Sequence, residues 1–197
     1  MMKYFENILS TIDHSVHSLD ESAFSRLVDE THAVLSSGHK VVVSGLGKNV
    51  PVCDKFVGTM NSLGMNACYM NTNSATHGDL GMVHDGDLVI VLTKSGRTQE
   101  SVYLVSLLQQ RQCSIWLLTF TDHSEIEQMV GREHCVILEL DNEGDDWNIV
   151  PNNSTTVNLI VLQALAITLG KRMGVTLTDF RKNHPGGYIG VQLKGQR

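Results

Sequence analysis

Long apolar runs, clustered basic residues and paired cysteines are all scarce in this sequence, and each scarcity removes a class of function. No apolar stretch is long enough to span a bilayer, so a membrane protein is not expected. The 15 Lys and Arg residues are scattered among 21 Asp and Glu, for a formal net charge of -6. Without a basic patch, neither nucleic acid nor an anionic membrane is an expected partner. A small anionic ligand needs only local positive potential and stays open. The four cysteines, Cys53, Cys68, Cys113 and Cys135, form no CxxC pair and each lies in or near an apolar segment. They read as small core hydrophobes in a reducing compartment. The N-terminus, MMKYFENILSTIDHSVHS, carries acids and histidines where a signal peptide needs a continuous apolar run. A cytoplasmic protein is the expectation.

What is present is an ordinary globular composition, 42% hydrophobic and 18% charged over 197 residues, enough for one domain with one sizeable core. No linker, repeat or low-complexity segment interrupts it. Residues 1–38 read as an N-terminal helical segment, with Ile8, Ile12, Val16 and Leu19 at helical spacing and a second pattern from Ser22 closed by Gly38. The histidines there, His14, His17, His32 and His39, share no face and read as solvent-facing or capping. Residues 39–175 read as an α/β core. Strands are expected at Lys40–Ser44, Asn66–Met70, Leu88–Leu92, Ser114–Thr119 and Cys135–Leu140. Helices alternate with them at about Pro51–Leu63, Gln99–Gln110 and Ser124–Val130, and a long one follows Ser154-Thr155-Thr156. The alternation implies a parallel sheet of about five strands covered on both faces, a three-layer αβα sandwich of flavodoxin-like or Rossmann-like type. Residues 176–197 form a C-terminal segment with a short capped turn and Asn183-His184-Pro185-Gly186-Gly187.

In such folds ligands collect at the C-terminal edge of the strands, so the loops there carry the functional signal. Gly45-Leu46-Gly47-Lys48 lacks the third glycine of a dinucleotide fingerprint and the hydroxyl of a Walker motif. It remains a glycine turn that lets backbone approach a ligand, with Lys48 projecting nearby and Asn49 following. Thr93-Lys94-Ser95-Gly96-Arg97-Thr98 leads a strand into a helix N-terminus. It is either a phosphate site, with Ser95 and Thr98 adding hydroxyls to free N–H groups, or an ordinary turn whose hydroxyls cap the helix. A second hydroxyl-rich helix start, Ser154-Thr155, follows the long acidic loop Asp141–Asn153. His77 and Asp79 lack a third ligand at diagnostic spacing, so no metal is expected.

GLGK at 45–48, THGDLGMV at 76–83, TKSGRTQE at 93–100, PNNSTT at 151–156 and NHPGG at 183–187 resemble, in order and spacing, the SIS-domain sugar-phosphate isomerases. The match is closest to the arabinose-5-phosphate isomerase (KpsF/GutQ-like) family and covers nearly the whole chain, as a SIS domain without the CBS pair many members carry. The resemblance implies aldose–ketose isomerisation of a sugar phosphate through an enediol, D-arabinose 5-phosphate to D-ribulose 5-phosphate, with no cofactor. It implies catalytic roles for Lys48, His77, Glu100, Glu143 and His184. Ser95, Gly96, Arg97, Thr98, Ser154 and Thr155 would hold the phosphate, and Gly45, Gly47, Asn49 and Thr93 would line the substrate. It further implies a tetramer whose sites are completed by histidines of neighbouring subunits. The chain departs from the family at Asn49-Val50-Pro51, at Arg97 and at Gly144-Asp145-Asp146-Trp147, positions that bear on which sugar is used. Two other SIS activities stay open: a non-catalytic phosphosugar sensor, which would not need both histidines and Glu143, and an amino-sugar-phosphate lyase or etherase.

Overall fold

Four short buried segments with β-branched residues and a fifth, partly buried one (ACYMN) pair in parallel in the order β2-β1-β3-β4-β5. They are β1 (Val41–Gly45), β2 (Ala67–Asn71), β3 (Leu88–Leu92), β4 (Ser114–Thr119) and β5 (Cys135–Ile137) in the computed structural model, which describes residues 2–186 and Tyr188. Alternation along each strand divides the core in two. Val41, Val43, Leu88, Ile90, Leu92, Trp116 and Leu118 face one side. There they meet α2 (Glu21–Ser36), α3 (Asn49–Ser62) and α7 (Asn153–Arg172). Val42, Val89, Val91, Ile115 and Leu117 face the other side, covered by α4 (Thr72–Ala75), α5 (Gln99–Leu108) and α6 (Glu125–Val130). The three-layer αβα sandwich expected from the sequence is therefore the fold. The four cysteines are free; Cys53 and Cys135 are buried, and burial pushes the Cys135 thiol up to about 12.

Several boundaries differ from expectation for local reasons. Residues 2–36 form two helices, α1 (Met2–His17) and α2, in line with the second pattern from Ser22, and Asp20 starts the second by accepting the Ser22 N–H. His14 is not merely solvent-facing, since Asp141 comes to 2.9 Å of its Nδ1. The fifth strand stops at Ile137 rather than Leu140: at this sheet edge Glu139 N–H turns to the Ser18 hydroxyl of the α1–α2 connection. The polar segment after β2 is also structured, as the Asn71 side chain accepts the N–H groups of Asn73 and Ser74 and nucleates α4. The C-terminal turn is a full short helix, α8 (Leu177–Asn183), closed at its start by a Thr176–Asp179 capping box. Contrary to the sequence count, α7 is long and apolar enough by length and composition to cross a bilayer. It instead buries Val157, Val161, Leu162, Leu165, Ala166 and Leu169 in the core.

The order 2-1-3-4-5 reverses direction between β1 and β3, which makes a crevice at their C-terminal ends. Gly45 and Leu92 are register partners there, so the loop after β1 and the loop after β3 leave the sheet side by side.

Candidate active site

The loop after β3 is held from below by its own first residues. The Lys94 carbonyl accepts the Phe120 N–H and the hydroxyls of Thr119 and Thr121. Gly96 takes φ 60 and packs so closely on Ser124 that a side chain there would collide with it. Thr93 is buried, and its hydroxyl accepts the Gly96 N–H at 3.3 Å, while Ser95 Oγ accepts the Arg97 N–H at 3.3 Å. Thr98 sits at the N-cap of α5 without using its hydroxyl as a cap. The first-turn N–H groups of α5 thus keep an uncapped start, the arrangement that receives anions. Arg97 and Glu100 are exposed, and their side chains have no polar partner among the described residues.

The loop after β1 is different in kind from the expected backbone cradle. A Cβ at Gly45 would stand 2.9 Å from Asn49 Cβ and 3.3 Å from Leu92 Cβ, so this glycine lets the first turn of α3 pack on the strand ends. Gly47 adopts φ 57 with open space around it and makes the turn. Asn49, expected to line the substrate, accepts a hydrogen bond on its side-chain oxygen from Asn158 Nδ2 of α7 at 3.0 Å. Lys48 is exposed beside this turn and has no partner among the described residues.

Glu143 is the centre of the arrangement. It lies in the loop before α7 with no exposed surface, and each carboxylate oxygen meets two donors. Its Oε1 accepts Lys94 Nζ and Ser154 Oγ, each at 2.7 Å. Its Oε2 accepts the N–H groups of Ser154 at 3.0 Å and Asn152 at 3.1 Å. Burial pushes the carboxyl toward neutrality, but the Lys94 bond and the Ser154 and Asn152 bonds outweigh it and hold the group below the usual glutamate range. The loop itself is stapled by Asp145, whose carboxylate accepts the N–H groups of Trp147, Ile149 and Val150. Asn148, at φ 55, accepts the Glu143 N–H at 2.7 Å. The acidic run is therefore an ordered turn rather than a solvated one, and it leaves Trp147 and Ile149 exposed. A cavity of about 420 Å³ beside it, between α1 and Gly144, is lined by Asp145 and Asp146 with Lys3 and does not suit an anion.

These contacts correct one expectation. Ser154, read as a phosphate ligand, spends both its hydroxyl and its N–H on Glu143. The N-terminus of α7 already holds an anion, the chain's own carboxylate. Thr155 turns its hydroxyl back to the Pro151 and Asn152 carbonyls. Lys94 is the residue that sequence reasoning missed. Its position inside the hydroxyl loop was visible, but no local pattern shows that a glutamate 49 residues on folds back against it.

The two histidines are not brought to Glu143 within one chain. His77 is exposed at the end of α4, at the same sheet edge but beyond β2. That places it two strand spacings, roughly 10 Å, from the β3 loop in the sheet direction. His184 lies at the opposite end of the molecule. α7 carries the chain about 30 Å from Glu143 over its 20 residues. α8 then docks on the C-terminal end of α3 through Asn183 Nδ2 to the Ser62 carbonyl at 3.1 Å. His184 stacks on Phe180 at 3.9 Å and holds its carbonyl at 2.8 Å. Gly187 of the NHPGG segment lies outside the described residues. The His77/Asp79 pair gathers no further ligand among the described residues. Asp122, His123 and Glu127 do come together within 4.8 Å, but Arg132 already pairs with both carboxylates.

The SIS domain family matches residues 34–168, which include β1 to β5, the β3 loop and Glu143. An uncharacterised protein of Chlamydia pneumoniae is 37% identical over 161 residues, covering 81% of this chain and 48% of that protein. Arabinose 5-phosphate isomerase KdsD of Pseudomonas aeruginosa is 33% identical over 177 residues, covering 88% of this chain and 54% of the enzyme. The chain thus spans about half the length of these curated relatives. Among solved structures, an Escherichia coli CFT073 protein in complex with arabinose 5-phosphate superposes with a TM-score of 0.81 at 28% identity, covering 92% of this chain and 94% of that one. With the sandwich, the switch-point crevice and the family match in agreement over the same residues, this chain belongs to the SIS-domain family.

Proposed function

We propose that this chain is a sugar-phosphate aldose–ketose isomerase, acting between D-arabinose 5-phosphate and D-ribulose 5-phosphate. The observation that carries the reading is a wholly buried carboxylate, Glu143, paired at 2.7 Å with a lysine that begins the hydroxyl loop at the switch point. The named activity of the Pseudomonas relative and the sugar phosphate bound by the Escherichia coli structure support the substrate class. The phosphate binds Ser95, Gly96, Arg97 and Thr98 at the uncapped start of α5, with Lys48 from the adjacent turn supplying a second cation. Being chemically inert in the reaction, it serves as a handle that fixes the reacting carbons.

Glu143 takes the proton from C2 of the open-chain aldose. The C–H electrons form the C1=C2 bond of the enediol, and the carbonyl oxygen O1 is protonated. Returning a proton to C1 while O2 loses its own gives the ketose. A positioned base of this kind contributes roughly 10²–10⁴ in rate. His77 and His184 handle the oxygen-bound protons and ring opening, His184 reaching the crevice from a neighbouring copy in a tetramer. Histidine suits these steps because its ordinary pKa lies near neutrality.

The test incubates the protein with a panel of pentose and hexose phosphates in D₂O and follows interconversion by NMR. Arabinose 5-phosphate should convert to ribulose 5-phosphate with deuterium entering at the exchanged carbon, and Glu143→Gln should abolish that exchange while binding persists. No exchange with any member of the panel would overturn the isomerase reading.

A further inference from the structure

A base must touch the proton it removes, yet Glu143 has no exposed surface. Of the four donors around it, three belong to the start of α7: the Ser154 hydroxyl, the Ser154 N–H and the Asn152 N–H. These are fixed by the backbone. The fourth is Lys94, an ammonium on a flexible stem whose side chain is 48% exposed. Its main chain is pinned by the three donors on its carbonyl, so only the side chain is free to move. Lys94 is thus the one removable cover on the carboxylate, and it is rooted next to Ser95.

We propose that Lys94 is a positioning residue that couples phosphate binding to the exposure of Glu143, its ammonium leaving Oε1 for the incoming phosphate dianion and so uncovering the base. The inference rests on the phosphate-loop reading above. A phosphate at Ser95–Thr98 offers the ammonium a doubly charged partner with several acceptor oxygens. Glu143 then loses its one cationic contact among the described residues and gains an anion nearby, and both changes raise its proton affinity. Charged groups of the neighbouring elements have partners of their own. Asp145, in the same loop, is turned to the N–H groups of Trp147, Ile149 and Val150. His14 of α1 is engaged with Asp141, and the start of α7 presents only Asn and Ser donors. Without substrate the carboxylate is quenched; with the handle in place it is a base held by α7 alone. The device confines proton abstraction to phosphorylated sugars, so Lys94 acts as a specificity residue through Glu143.

The experiment labels the full chain with ¹³C at glutamate carboxyls and ¹⁵N, and titrates it with sulfate at constant ionic strength. Sulfate has the shape of a phosphate and stays doubly charged across the carboxyl titration range, where inorganic phosphate is a monoanion. The amides of Gly96 and Thr98 report occupancy of the loop, and the Glu143 carboxyl, assigned by Glu143→Gln, reports its titration midpoint. In the wild type, sulfate should raise that midpoint by about one pH unit or more, a tenfold change in proton affinity. In Lys94→Gln the midpoint should already be high without sulfate and move little with it. Lys94→Arg, which keeps a cation, should restore the low starting midpoint. If Gly96 and Thr98 respond to sulfate while Glu143 keeps its midpoint in the wild type, the coupling is overturned and the phosphate loop stands. If the loop amides do not respond to the dianion at all, the phosphate reading falls and the coupling falls with it.

Discussion

Glu143 does two jobs with one carboxylate. It satisfies the N–H groups of Asn152 and Ser154 and places a negative charge at the start of α7, where the helix dipole favours one. The same contacts hold its pKa below the ordinary glutamate value, and the sign of the consequence follows from linkage. A carboxyl whose folded pKa is depressed contributes stability that is fully present above its unfolded pKa, about 4.3, and is lost as pH falls through the folded value. Glu143→Gln, which cannot titrate, should therefore cost roughly 1–3 kcal/mol at pH 7, the range for stripping partners from a buried polar group. The gap to wild type should narrow as pH drops below about 4.3. Urea unfolding of both proteins across this range measures it. A gap that stays constant with pH would show that Glu143 is not held as a low-pKa carboxylate.

At the scale of elements, the strands were legible because a buried parallel sheet demands continuous β-branched runs, and Val41–Val43 and Leu88–Leu92 are such runs. Their alternation with helices was enough to place the functional loops at one edge. What local pattern could not supply was long-range: the fold-back of Glu143 onto Lys94, the Asn49–Asn158 tie between α3 and α7, and the end of β5 at the Ser18 hydroxyl. Two hydroxyl-rich helix starts looked alike in sequence, and only their three-dimensional partners tell them apart. α7 has its anion built in, while α5 begins at Thr98 with an unused hydroxyl. Ser95→Ala and Thr98→Ala should consequently raise KM for the sugar phosphate more than they lower kcat, since the handle is held alike in ground and transition states. Ser154→Ala should behave differently, lowering kcat and stability together because it strips Glu143 of a partner. Steady-state kinetics of the three variants separates the loops, and an unchanged KM in both loop variants would remove the phosphate from α5.

The whole molecule keeps the residues of the proposed catalytic set apart. α7 separates Glu143 from α8, and α8 is anchored to Ser62 at the far end of α3, so His184 does not reach the switch-point crevice of its own chain. At the other end, α1 exposes Met2, Tyr4, Phe5 and Leu9, an apolar face of the kind that marks contacts between chains. The proposed function therefore requires a symmetric assembly in which one copy's His184 meets another copy's Glu143. Complementation tests this without a structure of the assembly. Glu143→Gln and His184→Ala should each be inactive when purified alone. Unfolded together and refolded as a mixture, they should recover activity, because a site that takes its glutamate from one chain and its histidine from the other contains neither lesion. With random assembly roughly a quarter of sites are intact, so the mixture should reach about that fraction of wild-type turnover. Refolded mixtures that stay inactive, while refolded wild type recovers, would place both residues in the same chain's site, whereas a His184→Ala protein that is active on its own would remove His184 from the chemistry. Adding His77→Ala as a third partner then separates the two histidines: it recovers with Glu143→Gln only if His77 also crosses between chains. It stays inactive in that mixture if His77 serves the crevice of its own chain, which its place at the same sheet edge as Glu143 favours.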